Sequence, residues 1–142
     1  MKHICFDYGQ KRVGVAASDA GGGMAFPRLT LWRKNADLFW NSLLALLREE
    51  QAEALVVGLP LRADGSYGLA ARQARNFARS LKRRTGLPVF YMEEAYSSIE
   101  AECMLRESGQ GFKPGDGKVD SLAAARILQS FLHQPEHKEM EA

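Results

Sequence analysis

The chain has 142 residues, 46% hydrophobic and 25% charged, the composition of one globular domain with a core of its own. No apolar run reaches the roughly 18 residues a membrane-spanning helix needs, and a formal net charge of +2 excludes any argument for nucleic-acid binding from bulk charge. The start, Met1-Lys2-His3, lacks a signal-peptide pattern, and Cys5 and Cys103 sit in apolar patterns without metal-ligand spacing, as reduced core residues of a cytoplasmic protein do.

In chain order, Met1 to Ala17 reads as two strands joined by a tight turn at Gly9-Gln10-Lys11-Arg12. Gly21-Gly22-Gly23 breaks the pattern. Met24 to Trp32 is a third strand, made irregular or confined to an edge by Pro27. Ala36 to Glu50 predicts a helix with Leu38, Trp40, Leu43, Leu44 and Leu47 on its inner face. Ala54-Leu55-Val56-Val57-Gly58 is fully apolar, as a central strand of a parallel sheet is, and a loop runs from Gly58 to Ser66. A second helix spans Ala70 to Thr85, with Ala70, Ala74, Phe77, Ala78 and Leu81 inward, and Gly86-Leu87-Pro88 ends it. Val89 to Met92 is the fifth strand. Ser97 to Glu107 and Val119 to Leu132 are further helices, with a glycine-rich segment between them. The order predicts a single α/β domain over residues 1–133, a mixed five-stranded sheet with helices on its faces, and a polar, disordered tail over 134–142.

Three acids stand out. Asp7 ends the apolar run Ile4-Cys5-Phe6, Glu94 follows Val89-Phe90-Tyr91-Met92, and Asp120 opens an apolar helix pattern. A carboxylate at the edge of a core is costly unless something compensates it. Sites in such sheets lie at the carboxyl ends of the strands, where Asp7 and Glu94 both fall. The three together suggest a shared site for Mg²⁺ or Mn²⁺, which take oxygen ligands. Each also has an ordinary explanation. Asp7 suits a turn before Gly9, Glu94 a first helical turn or a solvated loop, and Asp120 a helix N-cap.

The basic residues divide similarly. Lys11 and Arg12 in the first turn either hold a phosphate or form a charged hairpin turn. Arg72, Arg75, Arg79 and Lys82-Arg83 fall on one stripe of the second helix, with no acid between Ala70 and Arg84. The stripe either tracks a nucleic-acid backbone or is a solvated helix face. Lys113 and Lys118 add two candidate substrate contacts. Ser97 reads as a cap, since no histidine pairs with it. Trp32 and Trp40 read as core or interface, and His3, His133 and His137 are scattered.

Asp7-Tyr8-Gly9-Gln10-Lys11-Arg12-Val13-Gly14-Val15-Ala16 resembles the opening motif of the YqgF family. Gly58-Leu59-Pro60-Leu61 with Asp64-Gly65-Ser66 is similar to its second motif, and Val119-Asp120-Ser121-Leu122-Ala123-Ala124 with Ile127-Leu128-Gln129 to its last. Order and spacing agree over nearly the whole chain. The resemblance implies a ribonuclease-H-like fold and a metal-dependent nuclease, described in the family as a Holliday junction resolvase or as a processor of the 5′ end of pre-16S rRNA. It gives Asp7, Glu94 and Asp120 the role of metal-binding catalytic acids. With two ions about 3.5–4 Å apart, Asp7 would bridge them and Glu94 and Asp120 would each hold one. One motif departs: where the family reads Asp-Glu-Arg-Leu-Thr-Thr, this chain reads Glu93-Glu94-Ala95-Tyr96-Ser97-Ser98. The arginine is lost at Ala95, which, if it contacts phosphate or steadies the acids, would make the protein slower, differently specific or inactive.

Two rivals remain at this stage. A non-catalytic nucleic-acid-binding domain would keep metal affinity without cleavage. A sugar-kinase or actin-like phosphotransferase is suggested by Asp7-Tyr8-Gly9, but such proteins need two related domains around a nucleotide cleft. The sequence does not choose RNA over DNA. It leaves monomer and homodimer open, although a resolvase on a two-fold junction would be expected to dimerise.

Overall fold

A computed structural model describes residues 1–94 and 118–134 of the chain. The elements are β1 (His3–Tyr8), β2 (Arg12–Ser18), β3 (Ala25–Trp32), α1 (Ala36–Glu49), β4 (Ala54–Pro60), α2 (Leu69–Thr85), β5 (Val89–Glu94) and α3 (Lys118–Leu132). The helix expected over Ser97–Glu107, Ala95, Lys113, and the tail beyond Gln134 lie outside the described residues.

The strands form one mixed sheet of five in the order β3-β2-β1-β4-β5. The short turn at residues 9–11 can only return the chain antiparallel, so β1 pairs β2 and β2 pairs β3 in that sense. The crossovers through α1 and α2 make β1–β4 and β4–β5 parallel. β4 lies between two parallel neighbours, and Ala54 to Leu59 are all buried, which accounts for its unbroken apolar run. β3 forms one edge. Its register shifts opposite Val15 and Ala16, beside Pro27, which has no N–H to give to the ladder.

Alternation along the strands gives the sheet two apolar faces. Ile4, Phe6, Val13, Val15, Leu55, Val57 and Val89 meet Phe39, Leu43, Leu46 and Leu47 of α1 and Ala71, Ala74, Phe77, Ala78 and Leu81 of α2. Cys5, Ala16, Val56 and Met92 meet Ala124, Ile127, Leu128 and Phe131 of α3 on the other side. Two helices thus cover one face and α3 the other.

Local signals set the helix ends. The Asn35 side chain accepts from the Leu38 amide at 3.1 Å, capping α1. Gly86, at φ 70°, closes α2 by donating to the Lys82 carbonyl.

Several details differ from the sequence expectation. The inner face of α1 is Phe39, Leu43, Leu46 and Leu47, while Leu38 is 65% exposed and Trp40 and Leu44 only flank the core. Ala71 rather than Ala70 faces inward on α2. In α2 the inner face is offset by one residue at its N-terminal end, and in α1 it also takes in Leu46 in place of Leu44. β4 runs on through Leu59 and Pro60, because its pairing with β5 continues to Glu94.

Candidate active site

Asp7 owes its place to strand alternation. Ile4 and Phe6 belong to the α1/α2 core and Cys5 to the α3 core, so Asp7, two residues beyond Cys5, stands on the α3 face. It is paired across the ladder with Gly14, not held in a turn. The turn-forming explanation of Asp7 therefore does not apply.

Gly14 decides what sits above Asp7. A Cβ built on Gly14 would lie 2.0 Å from the Asp120 carbonyl oxygen and 2.9 Å from the Asp120 Cβ. Only a residue without a side chain lets the first turn of α3 descend onto β2 at this point. Asp120 lies in that turn, two residues after the helix begins at Lys118. It is therefore inside the helix rather than its N-cap, and it is carried to the carboxyl end of β1.

Glu94 arrives by the same alternation. Phe90 and Met92 face α3, which puts Glu94 on that face, paired with Pro60 at the end of β5. Glu93 points the other way and accepts a hydrogen bond from the Tyr67 hydroxyl. Glu94 is thus a strand residue rather than a loop acid, and its backbone carbonyl accepts from the Leu61 amide at 3.0 Å.

The electrostatics report how close these groups come. Burial, and then the charge of Asp120, push the Asp7 carboxyl up to about 7. Burial pushes the Cys5 thiol well above its ordinary value, and the charges of Asp7 and Glu94 both add to it. Asp7 thus feels the charge of Asp120, and Cys5 feels those of Asp7 and Glu94.

Asp120 is partly compensated by Arg12, whose Nε forms an ion pair with its Oδ2. The Arg12 guanidinium also lies 5.6 Å from the centre of the Trp32 ring. Arg33 ties the β1–β2 turn. Its Nη1 donates to the carbonyls of Gly9 (3.1 Å) and Gln10 (2.8 Å), and its guanidinium stacks 4.6 Å over Tyr8. Lys11 is exposed at the tip of that turn.

A divalent cation suits part of this arrangement. Two like-charged carboxylates, one of them buried enough to hold a proton near neutrality, are a donor set that a cation would relieve. Yet no group of three or more His, Cys, Asp or Glu side chains among the described residues is assembled to hold a metal ion. The expected three-acid centre is therefore seen as acids sharing a face rather than as a closed cluster. One physical reason is visible, since Asp120 is turned to Arg12.

The other predicted contacts scatter. Lys118 opens α3. Arg72, Arg75 and Arg79 are exposed along α2, on the side of the sheet away from the acids. Arg75 lies over the rings of Tyr67 and Tyr91 at 5.6 and 5.7 Å, and Arg79 donates to the Asn76 side chain at 3.3 Å. The arginine stripe and the acids do not form one surface. Sequence reasoning did not anticipate the Arg12–Asp120 pair or Arg33. The pair had a faint signal in two opposite charges each flanking an apolar run, and Arg33 had none.

The family profile described as "RuvX: Holliday junction resolvase" matches residues 1–134. The chain belongs to the RuvX family. The relatives of this RuvX chain include a "putative pre-16S rRNA nuclease" of Nitratidesulfovibrio vulgaris (strain DSM 19637 / Miyazaki F), 56% identical over 97% of each chain. A protein of the same name from Lawsonia intracellularis is 42% identical over 99% of each. Among solved structures, T. thermophilus RuvC in complex with Holliday junction substrate superposes with a TM-score of 0.57 at 15% identity, covering 99% of both chains. At that identity the likeness shows the fold, which is ribonuclease-H-like as the family resemblance implied. Among the described residues, no helix is long and apolar enough to cross a membrane.

Proposed function

We propose that this RuvX chain is a divalent-metal-dependent nuclease of the cytoplasm that hydrolyses phosphodiester bonds in structured nucleic acid, with the 5′ end of pre-16S rRNA as its substrate. The observation that carries the reading is the Asp7–Asp120 pair beneath the Gly14 gap. Burial and like charge hold Asp7 near neutrality in its titration, an arrangement that is costly for folding and useful for binding a cation. The relatives' names favour the RNA substrate. The family description favours a second reading, a resolvase acting on branched DNA.

In this reading Asp7 and Asp120 hold Mg²⁺ or Mn²⁺, with Glu94 as the third ligand. When bound, two such ions supply an activated water and stabilise the leaving oxygen. Gly14 leaves room for the main chain of Asp120 to approach the strand that carries Asp7. Arg12 pairs with Asp120, and its guanidinium, a bidentate phosphate binder by nature, would also be placed to hold a backbone phosphate of the substrate. Lys11, exposed on the adjacent turn, supplies a further charge for the strand. Lys113 and Lys118 remain candidate substrate contacts from the sequence, and the stripe of Arg72, Arg75 and Arg79 is a separate contact on the far face. The missing arginine at Ala95 lowers the rate rather than abolishing it, because Arg12 supplies a guanidinium on the acid face.

The test is cleavage of two labelled substrates, a ribosomal RNA precursor leader and a four-way DNA junction, with Mg²⁺, Mn²⁺ or EDTA. Wild type should cut the RNA leader with either metal and not in EDTA, and Asp7→Asn should not cut. Cutting of the junction alone would replace the RNA reading by the resolvase reading. Binding without cleavage under every condition would reject the enzyme.

A further inference from the structure

On the sheet face opposite the acids, a cavity of about 300 Å³ lies between α1, α2 and the end of β1. Tyr8, Arg33, Trp40, Gln73, Asn76 and Ser80 are among its lining residues. Nothing in the cleavage reading uses it.

Its position is tied to the acid site by one peptide bond. Asp7 and Tyr8 are consecutive in β1, so their side chains leave opposite faces of the same strand end. Acid site and cavity are back to back, and the turn at residues 9–11, with exposed Lys11, is the rim between them. A strand crossing that rim would reach both.

The chemistry of the lining is specific. Two amide side chains and a hydroxyl, Gln73, Asn76 and Ser80, offer both donors and acceptors, as the edge of a nucleobase requires. Tyr8 and Trp40 supply aromatic surface. The Arg33 guanidinium is fixed by the Gly9 and Gln10 carbonyls and stacked on Tyr8. It is a flat cationic plate of the kind on which unstacked bases lie.

The arginines of α2 complete the pattern. Arg79 Nη1 donates to Asn76 Oδ1 at 3.3 Å, and Arg83 Nη2 reaches Ser80 Oγ at 3.5 Å. Arg84 lies 4.2 Å over Trp40. Arg79 and Arg83 of the stripe, with Arg84, are therefore bonded or stacked to residues that line this cavity. An uncharged apolar ligand would not call for that border, whereas a base with a phosphate on either side would. About 300 Å³ is at the small end for ligand pockets, which suits one base rather than several.

We propose that the cavity holds one unstacked base of the nucleic-acid strand, beside the segment presented to the acids. The inference rests on the nuclease reading for its substrate class, but its test does not depend on cleavage.

The test uses the full chain carrying Trp32→Phe, which leaves Trp40 as the sole tryptophan. Its fluorescence is titrated in EDTA with single-stranded RNA and DNA hexamers, with an abasic hexamer of the same charge, and with a nucleoside monophosphate. The expected result is quenching of Trp40 by a base-bearing hexamer, with binding about tenfold tighter than the abasic one, the scale of one base stacked on an aromatic or cationic plate. Asn76→Leu, at an exposed helix position, should lower that affinity to the abasic level, with circular dichroism confirming the fold. Gln73→Leu serves if it unfolds. Asp7→Asn should leave the difference between the two hexamers intact. Equal binding of base-bearing and abasic hexamers would overturn the proposal. So would a mononucleotide that binds as tightly as the hexamer, which would make this a free-nucleotide site. Base-dependent quenching in a protein that cleaves neither substrate would uphold the cavity while rejecting the nuclease.

Discussion

Gly14→Ala is the sharpest perturbation the structure offers. The added methyl would sit 2.0 Å from the Asp120 carbonyl oxygen and 2.3 Å from its carbon. Ordinary contact begins at 3.4 Å, so the backbone of α3 must retreat by more than an ångström. No flexible side chain can absorb this, because the atoms in the way are main chain. The helix is also anchored by Ala124, Ile127, Leu128 and Phe131 in the core, so the retreat strains a packed face. Overpacking of this kind costs about 1–3 kcal/mol, against which alanine's better strand propensity returns roughly 0.5–1 kcal/mol. Asp120 moves with its backbone, and an ångström of misplacement in a catalytic group costs on the order of a hundredfold in rate. Urea unfolding should therefore show a lower midpoint with unchanged slope. Cleavage should fall about a hundredfold while affinity for nucleic acid changes little. A variant with wild-type midpoint and wild-type cleavage would refute both the close approach of α3 and the role of Asp120.

Gly58→Ala is the matched control. Its added Cβ would meet the Ile127 Cδ1 at 2.7 Å, the end of a side chain that can change rotamer, so the loss in urea unfolding should stay below about 1 kcal/mol. The Asp7 carboxyl, raised from 3.8 to about 7 in the fold, binds more protons folded than unfolded between those values. Its contribution to the stability of the metal-free protein is therefore full below about pH 4 and is lost as pH rises towards 7, by up to about 1.4 kcal/mol per unit. Asp7→Asn should abolish that slope and be the more stable protein at pH 8. A slope unchanged in Asp7→Asn would mean that Asp7 is not the group. Added Mg²⁺ or Mn²⁺ should raise the wild-type midpoint at pH 8 and leave that of Asp7→Asn unmoved, by linkage of binding to folding. Arg12→Gln removes the cation beside Asp120 and should lower cleavage at least tenfold, the scale of one lost charged hydrogen bond. Its metal-free stability should also drop, and an unchanged urea midpoint would argue against the pair.

How much of this was legible in the sequence depended on which physical signal carried it. The five strands and the helices α1, α2 and α3 follow from period and punctuation, and the unbroken apolar run at Ala54–Gly58 marks a central parallel strand without ambiguity. Period fails at its ends. Leu38 fits a helical stripe by hydropathy but is 65% exposed, because Phe39, the next residue and about 100° further round the helix, faces the core instead. Which face a helix covers is harder still. β1, β4 and β5 advance in one direction across the sheet, so right-handed crossovers place α1 and α2 on the same side. That argument needs the strand order, which hydropathy does not supply. No described strand follows α3, so no crossover rule fixes its side. This is why the sequence does not show that the arginine stripe of α2 and the acids lie on opposite faces.

The site itself was legible where the chain breaks its own rules. A glycine within a strand weakens it, and an acid among buried residues is costly, yet Gly14 and Asp7 are paired directly across β1 and β2. Each departure is explained by the other. The missing side chain at Gly14 admits Asp120, and the admission of Asp120 is part of what raises Asp7. Repulsion between these acids then works against folding, and Arg12 relieves it from the side of Asp120 only. Such a conflict persists where something outside the chain resolves it. A cation between the carboxylates and a phosphate for the guanidinium would do so together. Substrate and metal are therefore expected to stabilise this fold more than either alone.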